Sequence, residues 1–574
     1  MGKLPRSLWL LLGLLGWLGY RLRWRLLAQA AHWSQPRHRV KTDLNLHLVM
    51  RDGVILVADH YFPAQPGAYP TILIRSPYGR GLGGGVFGLF LSFFAYRFAE
   101  RGYHVIAQDT RGRFDSGGEF FPYFNEQNDG LDTIAWIKKQ SWYGGKIGLW
   151  GPSYLGIVQW AIAAHDPDIQ ALVPSATSSE LEGIIFPDGV FDMGLAMRWI
   201  TIFDLLDRYR HRSLPVSAAI LPRLEHTTRQ AFGHVPILEA DAVTTGGSVD
   251  YYRYWLDHTE EHDPAWEQVR AEVCLPNVTA PVHLVAGWYD FFLRGQLQDY
   301  QNLKAAGRQP YLTIGAWYHL QPDNPMGMFD GFREGIDWFE AHLKGQKQRL
   351  RPLPVKIFVM GANQWRDLPD FPPPSHTCAY YLRADGRLDN KPERSPRASR
   401  SYRYDPADPT PSVGGAEFSF HGGPHDVRRI EARSDVLVYT SPVLRQPLEI
   451  IGYIQLKLYV HSSLIHTDFH GRLCDVHPSG KVINLCEGLY RIVPGKGELQ
   501  PDGSILIEID LWATAHRFLP GHALRLHVSS GAHPHWERNH GTGSLLDSEL
   551  RPADQTIFHD AGHHSALVLP VVKW

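Results

Sequence analysis

With 574 residues, a formal net charge of −2 and 18 tryptophans, the chain has the makeup of a folded globular protein too long for one hydrophobic core. Its near-neutral balance offers no basic footprint for nucleic acid, and its apolar content excludes intrinsic disorder. Four cysteines, Cys274, Cys378, Cys474 and Cys486, are too scattered for a disulfide framework and form no C-x-x-C pair. Only Cys474 and Cys486 are spaced to meet, across one hairpin, and buried free thiols are the expectation.

In chain order, residues 1–30 come first as a hydrophobic anchor or signal-like segment. Ser7 to Tyr20 is an apolar run preceded by Lys3 and Arg6, the order of a secretory signal, and Ala28-Gln29-Ala30 resembles a cleavage site. Arg21, Arg23 and Arg25 lie between the two, which fits an uncleaved anchor better. As a helix the run would be about 20 Å long, short of the ~30 Å hydrocarbon core unless the arginines snorkel and the helix extends to Leu27. A buried N-terminal helix is the alternative. The expected location is membrane-associated or exported, with orientation unread because positive charge is nearly equal on both sides.

Residues 40–179 alternate short apolar strands with helical stretches, the pattern of an α/β unit with a mostly parallel sheet. The runs Thr71-Ile72-Leu73-Ile74, His104-Val105-Ile106-Ala107, Ile147-Gly148-Leu149-Trp150 and Ala171-Leu172-Val173 are continuously apolar, as strands buried on both faces must be. Between 180 and 275 the period becomes helical, with Phe191, Leu195, Trp199, Phe203 and Leu206 recurring every three or four residues. That stretch reads as a helical cap over the sheet. Residues 276–350 return to the α/β style at Val282–Ala286 and Tyr311–Ile314. From 351 to 574 period-two alternation takes over, as in Ile454, Leu456, Leu458 and Val460, or Ile505, Ile507, Ile509 and Leu511, and predicts a β-sandwich or jelly roll.

The sharpest motif is Gly151-Pro152-Ser153-Tyr154-Leu155-Gly156, set between the strand 147–150 and a helix-like run from Ile157. A tight strand-to-helix turn exposes a serine hydroxyl only if its neighbours are small, so this is a candidate nucleophile elbow in a G-x-S-x-x-G form. The bland alternative is a glycine-rich loop with an idle serine. A serine hydroxyl needs a histidine base and an orienting carboxylate, here in the order Ser, acid, His. Asp290 follows the strand 282–286 and His319 follows the strand 311–314, so both fall with Ser153 at the carboxyl edge of an open sheet. Only that placement separates His319 from the other histidines among 30.

These residues carry a close resemblance to the family of cocaine esterase and the X-Pro dipeptidyl peptidases. It is seen in Arg75-Ser76-Pro77-Tyr78, Asp109-Thr110-Arg111-Gly112, Gly151-Pro152-Ser153-Tyr154, Gly287-Trp288-Tyr289-Asp290 and the His319 segment. It continues through Arg433-Ser434-Asp435-Val436-Leu437, Thr467-Asp468-Phe469, Leu519-Pro520-Gly521 and the region of Arg538-Asn539, covering nearly all of residues 40–574. The resemblance implies an α/β-hydrolase core, a helical cap and a C-terminal jelly roll. It implies that Ser153 attacks an ester or amide carbonyl, His319 moves the proton and Asp290 orients the imidazole. It also implies an oxyanion hole made by the Tyr78 hydroxyl and the Tyr154 backbone N–H. Ala316 stands where many members have proline.

Other motifs carry less. Gly83-Gly84-Gly85-Val86-Phe87-Gly88 matches G-x-G-x-x-G but lies too far beyond the strand 71–74 to bind a dinucleotide, and is expected to be a loop near the site mouth. His563-His564 would point to opposite faces of a strand, with no accompanying carboxylate or cysteine cluster, so no metal is expected there. No cofactor is called for. Trp288, Trp317, Phe291 and Phe292 flank Asp290 and His319 and are candidate pocket walls.

The expected partner is a small-molecule ester or short peptide, with no nucleic acid; oligomeric state is open. A substrate with a free amine requires a carboxylate partner. In the α-amino-acid ester hydrolases an acidic pair directly follows the catalytic aspartate, and here those positions hold Phe291 and Phe292. The reading is therefore ester cleavage with an apolar or aromatic acyl group. X-Pro dipeptidyl peptidase activity is the alternative, with Glu180, Glu182, Asp188 and Asp192 of the cap as an amine site. A membrane-anchored binding protein that keeps the scaffold without turnover is an alternative of another class.

Overall fold

The structure, a computed structural model, describes residues 22–210, 220–260, 262–321 and 325–573. The apolar run Ser7–Tyr20 lies outside them. Among the described residues no helix is long and apolar enough to cross a membrane. Residues 22–30 form a helix that packs on the body of the protein. Ala28 is fully buried, the Arg97 guanidinium sits 3.9 Å over the Trp24 ring, and Trp33 meets Phe332 edge-on at 4.8 Å. The cleavage-like triplet Ala28-Gln29-Ala30 is thus part of the folded unit.

Ten strands make the central sheet: β1 (Val40–Val49), β2 (Ile55–Pro63), β3 (Thr71–Ser76), β4 (His104–Asp109), β5 (Ile147–Pro152), β6 (Ile169–Ser175), β7 (His283–Tyr289), β8 (Tyr311–Tyr318), β9 (Val355–Val359) and β10 (Gln364–Leu368). Their spatial order is β1-β2-β4-β3-β5-β6-β7-β8-β9-β10. β4, β3, β5, β6, β7, β8 and β9 run parallel, and the pairs β1–β2, β2–β4 and β9–β10 are antiparallel. Every residue of β3, β4 and β7 is buried, which is the burial on both faces that their unbroken apolar runs require.

The helices Gly85–Ala99 and Pro325–Leu343 cover one face, where Phe94, Phe98, Phe332 and Phe339 form a cluster with Trp150. Glu126–Lys138, Tyr154–Ala163 and Leu293–Ala305 cover the other with Ile134, Trp160 and Leu297. β9 and β10 fall beyond residue 350, in the stretch that the alternation assigns to the β-sandwich. Backbone pairing of β8 with β9 nevertheless adds them to the α/β sheet. A pattern of alternating burial does not reveal which sheet a strand joins.

Among the described residues, the segment between β6 and β7 is helical, led by Met193–Tyr209. Its stripe Leu195, Trp199, Phe203 and Leu206 is buried, together with Phe191 just before the helix. The Asp192 carboxylate caps the helix by accepting from the Leu195 N–H at 2.8 Å. The C-terminal part is a sandwich of an eight-stranded and a four-stranded antiparallel sheet. In the long strand Leu448–Ser462, Ile454, Leu456, Leu458 and Val460 all point into the sandwich core, fully buried, while Tyr453 is exposed. Cys474 and Cys486 lie on adjacent strands one register step apart and are free thiols.

Candidate active site

The elbow sits where β5 ends and the helix Tyr154–Ala163 begins, and its glycines have separate reasons. A Cβ at Gly151 would stand 2.3 Å from Leu155 Cβ, and one at Gly156 would stand 2.3 Å from Thr177 Cγ2. Helix and neighbouring strand could not close on the turn with side chains there. Ser153 itself has φ 58° and ψ −129°, a conformation rare outside glycine that costs about 1–3 kcal/mol and persists only when its surroundings impose it. Its N–H donates to the Ser175 carbonyl at 2.9 Å, tying the turn to β6.

β3, β5, β7 and β8 end on the same edge of the sheet, and each delivers one group. Ser153 Oγ and His319 Nε2 are 3.1 Å apart, and His319 Nδ1 lies 2.9 Å from Asp290 Oδ2. Asp290 is 3 % exposed, and its other oxygen accepts the Phe292 N–H at 2.9 Å. With Nδ1–H directed at the carboxylate, Nε2 keeps a lone pair for the serine proton. The three residues anticipated on strand-end placement are thus one hydrogen-bonded chain.

Tyr78, after β3, meets the Ser153 hydroxyl, and its oxygen accepts the Trp199 indole N–H at 3.2 Å. Burial raises its pKa above the ordinary 10, outweighing these two hydrogen bonds, so it stays a neutral donor. Tyr154 is the first residue of its helix, and its N–H is one the helix cannot satisfy internally. Its side chain has a different task. The Tyr154 hydroxyl donates to Glu126 at 2.8 Å, and Glu126 is paired with Arg75 at 2.8 Å, a buried brace between the elbow helix and β3.

Around Ser153 lies an apolar cleft lined by Phe291 and Phe292 from the core, Leu195, Trp199 and Trp255 from the cap, and Phe418 from the C-terminal part. Phe291, Phe292 and Phe418 also surround His319, with ring centroids 4.6, 5.5 and 5.4 Å away. Trp288 and Trp317 are not in this wall. The Trp288 indole is buried against the other side and donates to the Phe358 carbonyl at 2.7 Å, and Trp317 packs on Trp365. Successive strand residues point to opposite faces, so proximity in sequence to Asp290 or His319 does not put a ring in the cleft.

No local motif marks Trp199, Trp255 or Phe418 as cleft residues, although Trp199 belongs to the apolar stripe of the cap. The four cap carboxylates are occupied away from the cleft. Glu180 accepts the Gly183 N–H, Glu182 accepts the His262 N–H at 2.6 Å, Asp188 pairs with Arg294 at 2.7 Å and Asp192 caps its helix. The glycine run 83–88 packs a helix start onto a turn, since a Cβ at Gly88 would lie 2.4 Å from the Gly81 carbonyl. His563 pairs with Asp560 at 2.9 Å and Asp502 at 3.1 Å.

Comparison with known proteins gives the chain's family and fold. A family model of the X-Pro dipeptidyl-peptidase (S15 family) matches residues 52–321, and one of the X-Pro dipeptidyl-peptidase C-terminal non-catalytic domain matches residues 351–568. The cocaine esterase of Rhodococcus sp. (strain MB1 Bresler) is 32% identical over 570 residues, covering 92% of this chain and 98% of that one. An aminopeptidase from the marine sediment archaeon Thaumarchaeota archaeon and an α-amino acid ester hydrolase share the fold. Each has a TM-score of 0.78 at 21% identity, over 93% of this chain and 97% of the other. The chain therefore belongs to the S15 family of serine hydrolases that includes cocaine esterase and the X-Pro dipeptidyl peptidases, enzymes of ester or peptide bonds.

Proposed function

We propose that the protein is an esterase that cleaves small esters with apolar or aromatic acyl groups through an acyl-enzyme on Ser153. Ser153 Oγ attacks the carbonyl carbon while His319 Nε2 takes its proton and later gives it to the departing alkoxide. Asp290 holds the imidazole in the tautomer this requires and stabilises its cationic form. The oxyanion is received by the Tyr78 hydroxyl and the Tyr154 N–H, donors fixed before substrate arrives. Water then repeats the cycle on the acyl-enzyme, with His319 as base.

The observation that carries the substrate class is the cleft wall, which contains no aspartate, glutamate, lysine or arginine among the described residues. An ammonium placed there would be desolvated without a counter-charge, a cost that an apolar acyl chain does not meet. The test has two parts. A fluorophosphonate probe should label the native chain and leave Ser153→Ala unlabelled; equal labelling of both would remove Ser153 from the reaction. p-Nitrophenyl esters of butyric and benzoic acid should then be turned over with higher kcat/KM than Xaa-Pro p-nitroanilides. A preference for the anilides would make the protein a dipeptidyl peptidase.

We propose further that the segment before residue 22 holds the protein at a membrane without being cleaved. The reading rests on the apolar run at Ser7–Tyr20 and on the burial of Ala28 and Trp33, which cleavage near Ala30 would disturb. Fractionation of the full chain beside one lacking residues 1–21 tests it, and a full chain recovered entirely in the supernatant refutes it.

A further inference from the structure

Three strand ends of the C-terminal sandwich bring three histidines to one aspartate. Asp475 stands near the end of the strand Thr467–Val476 and His477 in the turn that follows. His516 lies in the strand Ile505–Phe518, and His522 directly precedes the strand Ala523–Ser529. His522 Nδ1 is 2.8 Å from Asp475 Oδ1, and His516 Nε2 is 3.0 Å from Asp475 Oδ2. His477 Nε2 stops 3.7 Å from Asp475 Oδ2, beyond hydrogen-bond reach, with its ring centroid 4.5 Å from that of His522. The donor atoms of Asp475, His477 and His522 all lie within 4.8 Å of one another.

We infer that Asp475, His477 and His522 form a binding site for a divalent transition-metal ion, with Zn²⁺ as the best fit. Two imidazole nitrogens and a carboxylate oxygen are a zinc donor set, whereas Ca²⁺ and Mg²⁺ require mostly oxygen ligands. Tetrahedral zinc with bonds of 2.0–2.1 Å holds its ligand atoms about 3.3 Å apart. The closest pair here is 2.8 Å and the widest separation is below 4.8 Å, so small movements on each side reach that value. His522 needs only to shift its proton to Nε2.

The backbone supports this placement. The turn at His477 is closed by its N–H on the Lys481 carbonyl at 2.9 Å, and the His522 N–H bonds the Leu519 carbonyl at 3.1 Å. Asp475 is buried and its side chain is 3 % exposed, while the His477 side chain is 38 % exposed, so the site opens to solvent on one side and leaves a fourth position for water. His516 donates to the same carboxylate from behind and would orient it, as carboxylate ligands of zinc are commonly oriented. Lys481 is the nearby cation that such an ion would have to tolerate. The ion would clip the turn 477–481 to the segment before Ala523, joining two connections of the four-stranded sheet. Its role is stabilising and independent of the Ser153 chemistry.

The test uses the full chain stripped with a chelator, then titrated with Zn²⁺ by calorimetry and by thermal unfolding. The expected result is one tight equivalent and a higher Tm, both lost in His477→Ala, whose half-exposed side chain can be removed without opening the core. His516→Gln, which keeps all three ligands, should bind about 10- to 100-fold more weakly. His563→Ala, a histidine at a separate surface pair, should bind as the native chain does. The inference is overturned if the native chain takes up no Zn²⁺ with a rise in Tm, or if His477→Ala binds as tightly as the native chain.

Discussion

The Trp199 indole, on the cap helix, donates its N–H to the hydroxyl oxygen of Tyr78 at 3.2 Å. Because the indole can only donate, Tyr78 receives it with its oxygen lone pair and keeps its own proton free to donate elsewhere. In the proposed mechanism the cap thereby completes the oxyanion site as well as roofing the cleft. Tyr78→Phe should lower kcat on a p-nitrophenyl ester about 10²- to 10³-fold with little change in KM, the usual effect of losing one such donor. Trp199→Phe keeps the ring but frees the Tyr78 oxygen, and a loss of less than about tenfold is expected. Equal losses in the two variants would mean that Tyr78 acts only as a wall.

The contact of Gly156 with Thr177 gives a stability prediction. An alanine at 156 places its Cβ 2.3 Å from Thr177 Cγ2. Such overpacking costs about 1–3 kcal/mol, and here the displaced helix carries the Tyr154 N–H. Gly156→Ala should lower both Tm and kcat, and Thr177→Gly in the same chain should restore part of each. Denaturant unfolding and steady-state rates measure the two effects. A single variant as stable as the native chain would show that the elbow tolerates the side chain.

Asp299, on the helix after β7, is fully sheltered and accepts the Ser179 N–H at 3.0 Å and the Ser179 hydroxyl at 2.5 Å. Burial pushes its pKa from 3.8 up to about 8, against the help of those two donors. A carboxyl whose folded pKa is raised binds its proton more tightly in the native state. Its contribution is therefore complete below pH 3.8 and is lost as pH rises through about 8. Thermal midpoints of the native chain should fall between pH 6 and pH 9 more than those of Asp299→Asn, which cannot ionise. Parallel curves would contradict a protonated Asp299.

Trp33 ties the N-terminal helix to the body through Phe329 and Phe332, and its indole donates to the Phe329 carbonyl at 3.1 Å. Trp33→Ala should cost about 3–5 kcal/mol, as other buried tryptophans do. Removing residues 1–21 should leave the unfolding midpoint unchanged, and removing 1–33 should lower it. Calorimetry of the three chains decides whether the segment 22–33 belongs to the fold.

The hydrogen-bonded set of Ser153, His319 and Asp290 was legible in the sequence because parallel α/β sheets gather the residues that follow their strands at one edge, and each of the three follows a recognisable apolar run. The helical cap and the β-sandwich were legible for a similar reason, since the periods 3.6 and 2 record which side of an element is buried. Trp288 and Trp317 show where that reading stops. Their neighbours Asp290 and His319 face the cleft, yet the two rings turn away from it.

By itself the sequence determined the glycine-flanked turn at Ser153, the strand ends that carry Asp290 and His319, and the change from α/β to helical to alternating pattern along the chain, because each is written in local spacing. The tertiary structure alone decided what surrounds Ser153. Trp199 and Trp255 come from the cap, Phe291 and Phe292 from beyond β7, and Phe418 from the sandwich region, so the wall of the cleft has no counterpart in any one segment. The same holds for Asp475, His477, His516 and His522, and for the strands β9 and β10 that cross from the expected sandwich into the core sheet. Contacts between residues distant in the chain follow from how whole layers pack, and no local period encodes that packing.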